Sequence, residues 1–286
     1  MAHYAKDLIR QSIRDVKLQR LYAKRREIEV YLNFYTGTSI RQYIKPYFDA
    51  TPFQEVPVYE MNITKKFINK MSKIYTLGAT RNVNKKYNSY TRKKDVSFKH
   101  IERMTRLLGT IATQVTYEED KFCYHPIYFF IPHFDPSDPF NPIAISYPLM
   151  TPVDDPSYGS GKESFAYIDD EYYIEYDKQG NIVKDEAHNL GRLPVVFTHR
   201  EHQVDSFFVE GAVDIINCNT HVNITLTEMQ LGLRYQMFGQ PWATGVPEAD
   251  MTARAGSDMI ISLPEGANFG IASPGGNLQA VIDSIK

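Results

Sequence analysis

Four clusters in this chain hold residue types that do chemistry in other proteins. Gly159-Ser160-Gly161-Lys162 has the glycines and the lysine with which a phosphate loop cradles a nucleotide. Its spacing fails, because the first glycine of GxxxxGK falls on Pro156 and the Ser/Thr slot on Glu163. Asp135-Pro136-Ser137-Asp138 opens like a calcium loop, but the slots for the turn glycine and the closing glutamate are Phe140 and Ser146. In His199-Arg200-Glu201-His202 the histidines are three apart and the glutamate is misplaced, so the HExxH metal helix is not met. Asp169-Asp170-Glu171 could act as an acid pair, yet it stands where a hairpin tip belongs. No catalytic residue, metal or cofactor is expected.

Charge is divided along the chain. The net formal charge is −2, but residues 1–110 hold 23 Lys/Arg against 9 Asp/Glu, a net of +14, and residues 111–286 hold 9 against 25, a net of −16. Such a split bears on fields and partners: a basic first part suits DNA, RNA or an acidic neighbouring subunit. Tyrosine is abundant, at 20 residues, and mixes with Lys/Arg in the first hundred. That mixing can indicate stacking on single-stranded nucleic acid. Most of these tyrosines fall at apolar helix or strand positions, which favours packing. Cys123 and Cys218 are isolated and suggest neither a disulfide framework nor a zinc site. The charged start lacks a signal-peptide core, and no apolar run approaches the roughly 18 residues of a membrane span. A soluble, non-secreted protein is expected.

The elements that would position these residues change character midway. Helical spacing predicts helices over residues 4–35, 58–77 and 97–116. In the second, Met61, Phe67, Ile68, Met71 and Ile74 form the apolar side and Gly78 the C-terminal cap. In the third, Ile101, Met104, Leu107, Leu108 and Ile111 are the buried set and Ser97 the N-cap. A basic loop (Arg81 to Lys94) separates them. From Lys121 the grammar is that of strands, with prolines at 126, 132, 136, 139, 142, 148, 152 and 156 that suit edges and turns. Turns are expected at Asp169-Asp170 and at Lys178–Asn181, and a short strand over 193–198 entered through Gly191.

A long helix follows over 208–238, roughly 45 Å at about 1.5 Å per residue. Its composition is unusual: Asn217, Asn219, Thr220, His221, Asn223, Thr225 and Thr227 are poor helix formers. Val209, Val213, Ile216, Leu226, Met229 and Leu233 keep an approximate stripe. Weak propensity and few charges require flanking elements to hold it. Gly239 and Pro241 end it, and Asn277 opens another helix with Leu278, Val281, Ile282 and Ile285 spaced along it.

Three segments in order carry a family resemblance. Asn189-Leu190-Gly191-Arg192-Leu193-Pro194-Val195-Val196 is similar to the segment preceding the first stem helix of tailed-bacteriophage portal proteins. The helix ending LGLRYQMFGQPWATG resembles portal helices that close on a glycine before the clip, and ISLPEGANFGIASPGGNLQAVIDSIK resembles a clip strand, its turn and the start of a returning stem helix. The resemblance implies an α+β fold with a wing of helices and antiparallel strands at 1–207, a first stem helix at 208–238, a small β-containing clip at 239–276 and the start of a second stem helix at 277–286. A portal would continue into a tunnel loop, a wing helix and a crown, so it also implies a portion of a longer portal or a reduced relative.

The function so implied is a homo-oligomeric, dodecameric ring at a capsid vertex, present in the virion and, during assembly, in the host cytoplasm. Double-stranded DNA would pass through it. Its partners would be the terminase large subunit, head-completion or adaptor and tail proteins, and the major capsid and scaffold proteins, with no membrane. Asn223, Thr227, Gln230 and Arg234 would face the channel, and Trp242, Glu248, Asp250 and Arg254 would dock partners at the clip. Residues 205–286 have three basic residues against nine acidic ones, which suits a passage that must not adhere to phosphates. The alternative is a sequence-nonspecific nucleic-acid-binding protein using the basic N-terminal helices. A nuclease with carboxylates among Asp135, Asp138, Asp154 and Asp155 is the third reading.

Overall fold

The computed structural model describes residues 7, 10, 11, 14, 19–48, 58–75, 82, 90, 91, 94–119, 121–149, 164–177, 179–238, 240–245 and 266–272. The protein is α+β, with antiparallel sheets. It divides into two compact units, one of residues 1–38 and 62–216, the other of 39–61 and 217–286. Residues 39–61 thus belong with the long helix rather than with the rest of 1–207.

In the first unit, helix α1 (Gln19–Thr36) buries Ile28, Tyr31 and Phe34 and is closed by Gly37, whose N–H donates to Asn33 at 2.9 Å with φ 82°. Helix α2 (Ile40–Ile44) and a following 3-10 turn open the second unit, with Ile40 and Ile44 fully buried. Helix α3 (Ile63–Met71) is shorter than the 58–77 expected. The Asn62 side chain accepts from Lys65 N–H and so fixes the start, and its amide donates to Tyr35 C=O at 3.0 Å. The buried face of α3 is Thr64 and Ile68, with Ser72 just beyond; Met61, Phe67, Met71 and Ile74, expected inside, are exposed. Of the expected apolar side only Ile68 is buried, because the inward face is completed by the polar Thr64 and Ser72. Gly78 and most of the 81–94 loop lie outside the described residues.

Helix α4 (Asp95–Leu108) starts from Lys94 without a side-chain cap, so Ser97 lies inside it and is not its cap. Ile101, Met104, Leu107 and Leu108 are buried as expected. The helix stops eight residues short of 116 because Gly109, at φ 83°, turns the chain into strand β1 (Thr110–Glu118). A Cβ at Gly109 would stand 2.1 Å from Val209 C=O, so sterics and backbone sign both require glycine there. Ile111 is buried, but in this strand.

Strands β2 (Lys121–Ile127), β3 (Ile131–Asp135), β4 (Asp138–Leu149), β5 (Ser164–Ile168), β6 (Tyr172–Asp177), β7 (Ile182–Ala187) and β8 (Val195–His199) complete two antiparallel sheets, ordered β2-β1-β8 and β3-β4-β5-β6-β7. Pro126 and Pro132 lie on edge strands as the composition predicts. Pro139, Pro142 and Pro148 lie in β4, an inner strand. β4 meets β5 only from Ile145 onward and β3 only up to Ser146, so each of these prolines has a neighbour strand on one side only. Asp169 Oδ1 accepts from the N–H of Glu171 and Tyr172, and Asp177 Oδ1 from Gln179 and Asn181, fixing the two hairpin turns.

The core of this unit joins the sheets: Ala112, Ile127, Phe130, Ile145, Tyr147, Ala166, Ile168 and Phe207 pack together. Phe207 meets Phe130, Phe134 and Phe197 edge to face at 5.2–6.2 Å. Phe207 and Phe208 therefore belong to this core, and Val209 and Ala212 are buried, while the long helix starts five residues later than expected. Ala212 N–H donates to Leu107 C=O and Val209 N–H to Thr110 Oγ1, tying that stretch to the end of α4 and the start of β1.

Helix α5 (Val213–Phe238) has 26 residues, and the division between units falls within it, after Ile216. Asp214 in its first turn suits the helix dipole. Strands β9 (Gln240–Thr244) and β10 (Asn268–Ala272) then pair antiparallel as a two-stranded sheet.

Candidate functional site

The second unit is built on a polar seam. Asn219, Asn223 and Thr227, four residues apart on α5, are each fully buried. The Asn223 side chain treats Met61 as a strand neighbour would: its Oδ1 accepts from Met61 N–H at 2.7 Å and its Nδ2 donates to Met61 C=O at 3.0 Å. Nδ2 also lies 2.8 Å from Asn219 C=O and 2.9 Å from Asn219 Oδ1, so its two hydrogens serve three acceptors. One turn on, Thr227 Oγ1 accepts from Tyr59 N–H at 3.1 Å and donates to Asn223 C=O at 2.8 Å. An extended strap, residues 58–61, is thereby fixed antiparallel to α5. A lone extended segment beside a helix would leave N–H groups unpaired, at about 1–3 kcal/mol each when buried. Poor helix formers are tolerated here because their amides and hydroxyls supply those partners.

The opposite face of α5 is open. Asn217, Cys218, His221 and Glu228 are exposed, and Thr225 is partly so. At spacings of one, four, eight and eleven residues from Asn217 they follow one helical stripe. Its formal charges are the carboxylates of Glu228 and of Asp214, exposed three residues before Asn217, and it has neither Lys nor Arg.

The residues expected to face a channel belong to the other stripe. Asn223, Thr227, Gln230 and Arg234 follow 4-3-4 spacing, and Asn223 and Thr227 are the two that hold the strap. Their side chains are turned away from solvent, which corrects the expectation for both. Gln230 is partly exposed, and the side chain of Arg234 lies outside the described ones. The sequence reading missed Tyr59 and Met61, whose backbone is the partner. The Asn219-Asn223-Thr227 spacing was the available signal.

Trp242 lies in β9 opposite Gly270 of β10. A Cβ at Gly270 would come within 2.5 Å of the indole, so the missing side chain makes room for the ring, which remains 48% exposed. Of the four residues expected to dock partners, Trp242 alone is described; Glu248, Asp250 and Arg254 lie outside, as does the helix expected over 277–286.

The clusters weighed for catalysis have local duties. Asp135 Oδ1 accepts from Ser137 N–H and Oγ–H, which holds its carboxyl below the usual range, and Asp138 accepts from Phe140 N–H and the Asn141 amide. His199 Nδ1 is 3.0 Å from Thr110 Oγ1, and burial lowers its pKa. His202 Nδ1 is 2.8 Å from Gln203 C=O. Among the described residues there is no group of three or more His, Cys, Asp or Glu placed to hold a metal ion. Residues 159–162, Asp154 and Asp155 lie outside the described residues.

Within the described residues no helix is long and apolar enough to cross a membrane. Compared with models of protein families and with curated proteins, the sequence matches none.

Proposed function

We propose that this chain is a portal-type subunit, one copy of a homo-oligomeric ring through which double-stranded DNA is packaged and ejected. The supporting observation is the order of strand β8, the 26-residue helix α5 and the β9–β10 hairpin, combined with the near-neutral open stripe on α5. In this reading the stripe of Asn217, His221, Thr225 and Glu228 faces the passage, in place of Asn223 and Thr227. A wall with few fixed charges gives phosphates nothing to adhere to, since adhesion comes from Lys/Arg releasing counterions. The hairpin with Trp242 is the clip that meets the terminase motor and, later, the head-completion and tail proteins. The ring belongs to the virion at the capsid vertex, and energy comes from the separate motor.

Imaging of the purified protein, with any further natural sequence included, tests this. Closed rings with an axial opening are expected; monomers or two-fold dimers alone at low salt would overturn it. In a packaging assay, Asn217→Lys with His221→Lys and Thr225→Lys is expected to stall DNA in a way that added salt relieves.

A second reading has one observation in its favour: Arg25, Arg26, Lys65, Lys66, Lys70 and Lys73 are all exposed. A sequence-nonspecific nucleic-acid-binding protein would use them, and monomers would then bind DNA with a steep salt dependence.

A further inference from the structure

Two surfaces of the first unit carry opposite charge and expose apolar side chains, one on a helix face and the other in a groove. One is a ridge on α3. Its inner face is spent on Thr64 and Ile68, while Phe67 and Met71, one turn apart, and Ile74 in the turn beyond are 52%, 44% and 64% exposed. Lys66, Lys70 and Lys73 alternate with them and are exposed too. Large side chains at helical spacing, left in water and framed by lysines, are more than the scattered apolar residues a surface ordinarily carries.

The other is a groove of about 790 Å³ walled by both sheets, from β1 and β2 on one side to β4, β6 and β7 on the other. Its aromatic floor is fixed: the Tyr147 hydroxyl donates to Gln114 Oε1 at 2.7 Å and the Tyr173 hydroxyl to Glu175 Oε1 at 3.0 Å. Tyr117 and Leu190 line it and are 55% and 56% exposed. Its charges are acidic: Glu118, Glu175 and Glu186 against Lys184, which is already paired with Glu186 at 3.0 Å.

We propose that the α3 ridge of one copy seats in the inter-sheet groove of the next. An apolar ridge needs an apolar trough, and three lysines need carboxylates at its rim. The chain supplies both, and Phe67, Met71 and Ile74 are large apolar side chains that a single copy leaves in water. Because ridge and groove are different patches, the contact is heterologous and repeats head to tail, closing into a ring when the rotation allows. This rests on the ring reading above and names the surfaces that make it. The exposed ion pairs are screened within about 8 Å at physiological salt, so they set register while the apolar contact holds.

The test is a charge-swap cycle on the full chain, followed by analytical ultracentrifugation. The variants are Lys66→Glu with Lys70→Glu on the ridge, and Glu118→Lys with Glu186→Lys in the groove; all four side chains are exposed, so folding is kept and is checked by circular dichroism. Each pair alone is expected to weaken assembly at least 10-fold. Mixed one to one, the reversed ridge fits the reversed groove and the native ridge the native groove, so the two altered proteins are expected to alternate and recover assembly that neither shows alone. The fourfold swap is expected to restore the wild-type assembly. If wild type forms rings and neither pair changes them, this interface is wrong while the ring reading stands. If each pair disrupts assembly but neither the mixture nor the fourfold swap recovers it, the two surfaces do not meet. If wild type stays monomeric throughout, both fail.

Discussion

Around Phe130 the chain is held by rings: Phe197, Phe207 and Phe208 lie at 5.3–6.2 Å from it, and both sheets contribute to the cluster. Around Asn223 it is held by amides and hydroxyls, with four hydrogen bonds to backbone between Asn219 and Thr227, about two turns of helix. The first arrangement gains by removing apolar surface from water, is non-directional and tolerates conservative exchange. The second gains little net per bond but penalises each broken one heavily, because a buried partner is left unpaired. A polar seam therefore specifies a register, here of residues 58–61 on α5, more sharply than it stabilises.

The largest loss of stability is expected in the ring cluster. Phe130→Ala removes a side chain that is 1% exposed and should cost about 4 kcal/mol. Chemical denaturation followed by hydrogen exchange should show peptides of β1, β4 and β5 losing protection first, while those of the α5 strap are spared.

Acid should act on the same unit. His133 Nε2 is 2.9 Å from Ser146 Oγ, and burial pushes its pKa down to about 4. An unfolded histidine titrates near its ordinary value, so between about pH 6.5 and 4 the unfolded chain binds more protons and stability falls as pH falls. Its share of the loss is about 3 kcal/mol, complete near pH 4. Thermal melts at pH 7 and pH 4.5 should differ less for His133→Gln than for wild type. Burial also lowers His100 and His199, so part of the slope should survive the substitution.

Asn223→Leu sharpens the contrast from the other side. A near-isosteric apolar side chain leaves the Met61 N–H and C=O unpaired and should cost about 2–3 kcal/mol, although leucine is the better helix former. The amides of Tyr59 and Met61 should then exchange quickly. Wild-type protection at these two is expected despite side chains that are 39% and 41% exposed. Equal exchange in both proteins would show that the strap is held by something else.

The smallest effect belongs to the open stripe. Asn217→Ala and Glu228→Ala should each change stability by no more than about 0.5 kcal/mol. A loss of several times that would mean the stripe is already engaged within one chain, leaving no free face for a passage.

Element types were largely legible because they follow from local rules. Period-two stretches became strands, and Asp169 and Asp177 became turns because their carboxylates reach backbone N–H groups two to four residues on. The ends of α3 and α4 were less so. Asn62 shortens α3 by capping it, and Gly109 shortens α4 because Val209, distant in sequence, crowds its α-carbon. The stripe of α5 that faces inward was misread for a physical reason. Patterning equates buried with apolar, whereas Asn219, Asn223 and Thr227 are buried by satisfying an extended backbone that no helical period announces.

By itself the sequence determined the α+β composition, the basic-then-acidic division of charge, the hairpin turns and the long helix with its weak propensity. These are sums or short-range properties, set within a few residues of each other. Only the tertiary structure decided that residues 39–61 join the long helix, which of its faces is open, and that Phe207 belongs to the sheets. Each of those depends on contacts between segments far apart in the sequence, and no local preference encodes which distant backbone will need a hydrogen-bond partner or which cavity will need a ring.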